Sequence, residues 1–584
     1  MTDKGEFEGK PLLIRLITLP VAAVFCLLAA SCTHSPVAHS PVAASQLADV
    51  LYVGPHVLTM DEAFAGADAV AVKDDSILWV RPQADWTGQA TRTVELGERA
   101  LLPGLIDAHG HFAFLASTVN MANVASPPVG TITNIAELQQ HLRDYMAAQT
   151  PATAVATSTD AVRWVVGIGY DDSLLAERRH PNRDDLDAVS ATVPIVLIHV
   201  SGHLAAANSP ALALAGITAV TPDPPGGVIR RRSGSQEPDG VVEETAMANL
   251  RQYYIGNAEL TQQEIDDALT TYASHGITTA QDGAASWGIY ERLQRASLNI
   301  DLVVYPVGMA DDFAIPDDVP VGEYQQRLKL GGIKLILDGS PQGKTAYLSA
   351  PYHVVPEGLD ADYRGYPTVP QAQANAYVQR FVEAGVPMLV HCNGDAAAQM
   401  LIDALQQVDV PLGDHRTVMI HAQVLRETQL DTMQQLQVIP SFFSAHTFYW
   451  GDWHRDSVLG EQRAARISAT RSALERDMPF TVHNDAPIVP PDMIRLLWAT
   501  TNRQTRSGAT LGEAQRISTY QALRAMTIDA AYQYFEEAEK GSITPGKQAD
   551  LVILSANPLQ MDASELLQLQ VEETISRGVS IFQR

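Results

Sequence analysis

Along the middle of the chain, short apolar runs alternate with amphipathic segments. Runs at 277–280, 301–305, 333–337, 387–391, 418–421, 438–442 and 480–483 have strand length, while 396–408 and 518–531 repeat their apolar positions at helical spacing. Strand and helix in alternation is the pattern of parallel βαβ units. An earlier run, Leu101-Leu102-Pro103-Gly104-Leu105-Ile106, leads into Asp107-Ala108-His109-Gly110-His111 and brings the strands to eight, the number that closes a (β/α)8 barrel. Residues 112 to about 260 exceed what a barrel loop needs. They carry a helix over 134–148 and strands over 164–167 and 195–199, and read as an inserted α/β subdomain above the barrel mouth, where loops set specificity. Within it, 221–227 and Arg230-Arg231-Arg232 read as exposed loop.

The two ends have a different period. Residues 49–99 alternate apolar and polar positions in short hairpins, with Asp74-Asp75 as one turn, and 541–554 and 571–582 have the same character. The fold class expected is therefore α/β: a TIM-like barrel over 101–540, plus a small β-sandwich built from both chain ends, 47–100 and 541–584. The first residues belong to neither. Lys10 and Arg15 precede an apolar run over 16–30 that has signal-peptide length and is short for a membrane span. It ends Leu27-Leu28-Ala29-Ala30-Ser31-Cys32, which resembles a bacterial lipobox. On that reading 1–31 are removed, Cys32 is lipidated, and 32–46, rich in Ser, Pro and Ala, form a flexible tether. The expected address is the bacterial cell envelope, on a membrane anchor facing the periplasm or the exterior.

Composition narrows the partners. The 584 residues are 46% hydrophobic and 18% charged, as in an ordinary globular protein, but the formal net charge of −27 excludes a nucleic-acid partner, because a phosphate backbone rewards Lys and Arg. Of three cysteines, Cys26 lies in the leader and Cys32 would carry lipid, so Cys392 alone remains and no internal disulfide is expected.

Candidate chemistry collects at the strand ends. His109 and His111, one residue apart after an apolar run, would share a face and offer two imidazoles to a metal such as zinc. Lys334 stands inside Ile333-Lys334-Leu335-Ile336-Leu337, where a charged amine is costly. Two explanations stand open: an ion pair with Asp338, or loss of the proton and addition of carbon dioxide, giving a carbamate able to bridge two cations. His391 and His421 end two further apolar strands, with Cys392 expected to point away from His391 and Asp395 to cap the next helix. The last strand gives His483-Asn484-Asp485, in which Asp485 is the expected ligand and His483 its support.

Together these motifs resemble the amidohydrolase superfamily, in its YtcJ-like, or amidohydrolase-3, branch. The likeness spans about residues 47–584 and is carried by the Pro103 to His111 opening, Ser201-Gly202-His203 with Ala207-Asn208-Ser209, Lys334 with Asp338-Gly339-Ser340, His391 with Gly394-Asp395, His421, Asp485, and Pro545-Gly546-Lys547-Gln548-Ala549-Asp550-Leu551. The resemblance implies two zinc ions per chain: His109, His111 and Asp485 on the first, His391 and His421 on the second, and carbamylated Lys334 between them. It implies hydrolysis of a small-molecule amide or N-acyl bond, with hydroxide made available near neutral pH and Asp485 moving the proton. His203 would orient the substrate or stabilise the oxyanion. His446, Tyr449 and Trp450, with Phe448 and Trp453, would wall the mouth, and a homodimer is compatible with the chain. Two other readings stay open: a mononuclear hydrolase of esters, lactones or cyclic amides, and a surface lipoprotein that binds a ligand without turnover.

Overall fold

The computed structural model describes residues 47–148, 164–254 and 260–584. The leader, Cys32 and the tether lie outside the described residues, among which no helix is long and apolar enough to cross a membrane.

The middle of the chain builds two five-stranded sheets. In one, Leu105–Ile106, Ile277–Ala285, Asp301–Pro306 and Leu328–Leu330 run parallel, with Tyr324–Gln325 antiparallel at the edge. In the other, Ile333–Ile336, Met388–Cys392, Val418–His421, Ile439–Phe442 and Thr481–Val482 are all parallel. Continuous apolar runs suit such strands because both faces are covered: Leu302, Val303, Val304, Leu335, Val390 and Ile420 are fully buried. Backbone bonds cross between the sheets at two seams. At one, Val307 bridges Lys334 and Gly308 N donates to Lys334 O (2.9 Å); at the other, Asp485 N donates to His109 O (3.0 Å) and His111 N to Ala486 O (2.7 Å).

The opening run is not the single strand its hydropathy suggests. Ala100–Pro103 pairs antiparallel with Leu551–Leu554, whereas Leu105–Ile106 pairs with Ile277–Ala285 in a different sheet. The chain crosses between them at Gly104, where a Cβ would stand 2.3 Å from Thr278 Oγ1, so no larger residue fits the crossing. His109 and His111 therefore follow the strand and owe their placement to loop contacts, not to strand alternation.

The two chain ends form a pair of four-stranded sheets. One holds Leu47–Val53, Ala69–Lys73, Ser76–Arg81 and Gln89–Glu95; the other holds Ala100–Pro103, Leu551–Leu554, Val571–Ser576 and Val579–Gln583. Tyr52, Val70, Ile77 and Val80 from the first pack with Leu101, Leu551, Ile553 and Ile575 from the second.

Between these regions, residues from Ala122–Asn123 to Pro238–Glu244 make a six-stranded sheet with the helix Ile135–Ala148 against it. Two local expectations fail here and beyond. The arginine run is not a loop: Gly227–Arg231 is a strand paired with Pro238–Glu244, Arg230 binds Glu243, and Arg232 donates to Asp184 at 2.5 Å, so opposing carboxylates occupy these side chains. The helix expected over 518–531 is two, Thr519–Ala525 and Ile528–Gln533, broken where Thr527 leaves helical geometry.

Candidate metal centre

His109, His111, Lys334, His391, His421 and Asp485 meet at the ends of the two parallel sheets. His109 Nε2 lies 3.5 Å and His111 Nε2 3.1 Å from Asp485 Oδ1, and Lys334 Nζ lies 3.2 Å from His109 Nε2. On the neighbouring strands, His391 Nδ1 and His421 Nε2 face each other at 3.1 Å, and the His109 and His421 rings are 5.7 Å apart. Both His421 (φ 71°) and Asp485 (φ 57°) sit in the left-handed region, a conformation that His and Asp enter more readily than most residues. It marks the two places where a strand end turns sharply to deliver its side chain.

Three of the four imidazoles are fixed through the far nitrogen. His109 Nδ1 donates to Gln281 Oε1 (2.5 Å), whose own amide donates to Ala108 O (3.0 Å) and Tyr534 OH (2.9 Å). Gly283 permits this, since a Cβ there would stand 2.3 Å from His109 Cε1. His391 Nε2 is turned to Gly339 O (3.1 Å), which leaves Nδ1 for the cage. His421 Nδ1 meets His483 Nε2 at 3.3 Å, and His483 Nδ1 meets Ser441 Oγ at 2.8 Å. His483 thus braces His421, whereas the sequence suggests it as support for Asp485.

Lys334 makes no pair with Asp338. Asp338 accepts instead from Asn393 N (2.9 Å), Gly394 N (2.7 Å) and Tyr347 N (3.0 Å), tying down the turn after His391. Gly394, not Asp395, caps the helix Asp395–Gln406, and Asp395 accepts from Ser349 N at 2.8 Å. Cys392 is buried and its thiol is pushed up, first by that burial.

The electrostatics favour cation binding. Burial holds His109, His391 and His421 well below the ordinary imidazole value, so these three rings offer lone pairs at neutral pH, and it pushes the Lys334 ammonium down to about 8, so that this amine gives up its proton just above neutrality. Burial also raises Asp107, beneath the cage, to about 7. Asp485 Oδ1 is buried without a hydrogen-bond partner, although two imidazole nitrogens face it. An orphaned carboxylate oxygen is costly unless something cationic completes it. Two ligands about 2.0–2.1 Å from a tetrahedral zinc stand about 3.3 Å apart. The separations of 3.1 Å (His111 to Asp485), 3.5 Å (His109 to Asp485) and 3.1 Å (His391 to His421) match that edge, and the residues fit a divalent metal.

His203 stands beside the cage, its ring 4.9 Å from that of His391, and its Nδ1 lies 2.7 Å from Glu244 Oε2. Burial pulls the His203 pKa down, but the Glu244 charge and hydrogen bond outweigh it and the net direction is upward. A cavity of about 340 Å³ opens in front, lined by His111, His203, Lys334, His391, His421 and Asp485 on the metal side. Phe114, Met121, Trp164, Ile198 and Met247 line the other side, with Arg251 and Glu264 among them.

The expected aromatic wall lies elsewhere. Tyr449 and Trp450 line a separate cavity of about 270 Å³, because the helix His446–Trp453 is drawn to the inserted sheet by the bond from Trp450 Nε1 to Asp171 Oδ2 (2.8 Å). His446 is buried against His454, their rings parallel and 5.2 Å apart, and Phe448 packs on Trp498. Trp453 Nε1 donates to Gln342 O at 3.1 Å. Gln281, Glu244 and Asp107 are the residues that sequence reasoning passed over. Gln281 had one visible sign, a polar residue continuing the apolar strand that begins at Ile277.

Comparison with known proteins settles the lineage. The sequence model of the amidohydrolase family matches residues 92–582. The chain belongs to the amidohydrolase family. It is an enzyme that hydrolyses carbon–nitrogen bonds other than peptide bonds. This amidohydrolase is 26% identical to the N-substituted formamide deformylase of Arthrobacter pascens, over 92% of this chain and 99% of that one. It is 23% identical to the putative amidohydrolase YtcJ of Bacillus subtilis, over 91% and 99%. Among solved structures, an uncharacterized metal-dependent hydrolase from Pyrococcus horikoshii shares the fold with a TM-score of 0.66 at 20% identity, covering 88% of this chain and 99% of that one.

Proposed function

We propose that this amidohydrolase cleaves a small N-acylated amine, with a formyl or other short acyl group as the part attacked, at a two-cation centre. One observation carries the reading: the orphaned Asp485 Oδ1 lies between the imidazoles of His109 and His111, with a buried lysine against His109 and a second imidazole pair on the neighbouring strands. His109, His111 and Asp485 would hold one cation, His391 and His421 the other, and Lys334, as its carbamate, would reach both. Divalent cations bound there would acidify water towards neutrality and polarise a carbonyl oxygen. Asp485 takes the proton from the attacking water on its other carboxylate oxygen, Oδ2, and delivers it to the leaving nitrogen. His203, held by Glu244 through Nδ1, presents Nε2–H to the substrate oxygen as negative charge develops. The apolar side of the cavity receives the substituent on nitrogen and keeps bulk water from the reacting carbon. The name of the Arthrobacter relative supports a formamide as the first substrate to try.

The two parallel sheets are read as one eight-stranded barrel, with Leu328–Leu330 and Ile333–Ile336 taken as one strand interrupted at Gly331-Gly332, supported by the bonds at both seams, and the terminal sheets as a β-sandwich, supported by their common core. The envelope address is likewise proposed, on the lipobox-like Ser31-Cys32; labelled palmitate absent from the expressed protein would remove it. A mononuclear centre has its own support, since His109, His111 and Asp485 are the only residues of this cage whose ligand atoms form a three-ligand cluster among the described residues.

Metal analysis of the purified enzyme before and after His391→Ala/His421→Ala separates the two: one equivalent fewer in the variant supports the pair, an unchanged content the mononuclear site. A panel of N-substituted formamides, N-acetyl amines, esters and lactones tests the substrate. Turnover confined to esters or lactones would overturn the amide reading, and binding without metal-dependent turnover of any member would overturn catalysis.

A further inference from the structure

The inserted subdomain holds a second group of metal-ligand side chains that the catalytic reading does not use. The parallel strands Val165–Tyr170 and Ile195–His199 are neighbours, with Tyr170 in register with His199, so Asp172, just past the end of one, meets the last residue of the other. His199 Nε2 lies 3.0 Å from Asp172 Oδ1, and His180 Nε2 lies 3.6 Å from Asp172 Oδ2. The three ligand atoms all fall within 4.8 Å of one another. We propose that Asp172, His180 and His199 form a further metal site, outside the catalytic cavity, that takes a divalent cation of the zinc type.

Ligand chemistry and surroundings carry the proposal. Two imidazoles and one carboxylate are a set that zinc accepts with one position left for water. The far nitrogens are already engaged: His180 Nδ1 with Tyr170 OH at 3.2 Å, and His199 Nδ1 with Ser201 Oγ at 2.8 Å. Such outer partners fix ring orientation in metal sites. Without a cation, the Ser201 N–H also points at His199 Nδ1 (3.2 Å), which puts the proton of His199 on Nε2, towards Asp172. Cation binding moves that proton to Nδ1, where Ser201 Oγ accepts it, so the ring changes tautomer without a net change of charge. Burial keeps His180 neutral, at about 3, and its ring centroid is 5.6 Å from that of His199. The nearby Arg230 does not supply an opposing free charge, since it is paired with Glu243. Asp172 is 16% exposed, which gives an ion a way in.

The site also has a consequence for the catalytic cavity. Ser201, which braces His199, is followed by Gly202 and His203, and all three line that cavity. A cation on His199 would hold the segment that carries His203.

The test counts metal by difference, in a background whose first catalytic cation has lost two of its three ligands. In a His111→Ala/Asp485→Asn background, apo protein is loaded with zinc or cobalt, desalted and assayed for metal, and then compared with the same background carrying His180→Gln or Asp172→Asn. The expected result is one equivalent less per chain in each, and loss of the tetrahedral cobalt absorption. Equal metal content in all three proteins would mean a hydrogen-bonded network only and would overturn the proposal. Should the substitutions impair folding, anomalous scattering at the zinc edge from crystals of the parent protein decides: a peak between the three side chains supports the site, and its absence at full catalytic occupancy removes it. Because all three proteins share the same altered catalytic cage, the difference between them reports on Asp172 and His180 alone, and failure here is distinguishable from failure of the catalytic reading.

Discussion

Gln281→Leu removes one acceptor from the cage at nearly constant volume. Gln281 Oε1 accepts the Nδ1–H of His109 at 2.5 Å and so commits Nε2, on the opposite side of the ring, to the metal position. A leucine leaves that buried N–H without a partner, at a cost of about 1–3 kcal/mol. Loss of an outer-shell acceptor typically weakens metal binding about 10–100-fold, which is about 1.4–2.7 kcal/mol and falls within the same range. The other bonds of Gln281 are covered: Ala108 O keeps Gln533 Nε2 (2.8 Å) and Tyr534 OH (3.0 Å) as donors, so the effect should concentrate on His109. The assay is competition for zinc between apo enzyme and a chromophoric chelator, with urea unfolding of the apo form alongside. Gln281→Glu, which keeps the acceptor, should retain zinc. A leucine variant that binds zinc as tightly as the parent would refute the claim that His109 is oriented through its far nitrogen.

Lys334→Met should flatten the pH dependence of apo-enzyme stability. The lysine falls from 10.5 to about 8 on folding, so between those values the unfolded chain binds more protons and stability rises with pH, by up to about 1.4 kcal/mol per unit from this group. Parallel stability profiles for parent and variant over that window would contradict the burial of a titrating amine. Gly283→Ala puts a Cβ 2.3 Å from His109 Cε1 and should cost about 1–3 kcal/mol of stability together with metal affinity, read by thermal unfolding and metal content. Glu244→Gln should lower kcat by up to ~10²-fold with metal content unchanged, because it weakens the hold on His203 without touching a metal ligand. Exhaustive chelation should abolish turnover and added zinc restore it.

The kinds of residue in the cage, and the parallel strands that carry most of them, were legible in the sequence. Apolar runs of strand length cannot face water, and a lysine or histidine at the end of such a run stands out against them. Lys334, His391, His421 and Asp485 were found in this way, without any knowledge of contacts. What tertiary structure decided is the set of pairings. Gln281 bonds to His109 across 172 positions, His483 braces His421 across 62, and Glu244 holds His203 across 41; hydropathy contains no trace of such bonds. The same limit misplaced the aromatic helix, since nothing local announces that Trp450 will bond to Asp171, 279 residues earlier. It also hid the crossing at Gly104, where one apolar run serves two sheets. Periodicity records which side chains must leave water. Which of them then touch is fixed by how the strands and the inserted sheet pack, and only the folded chain contains that information.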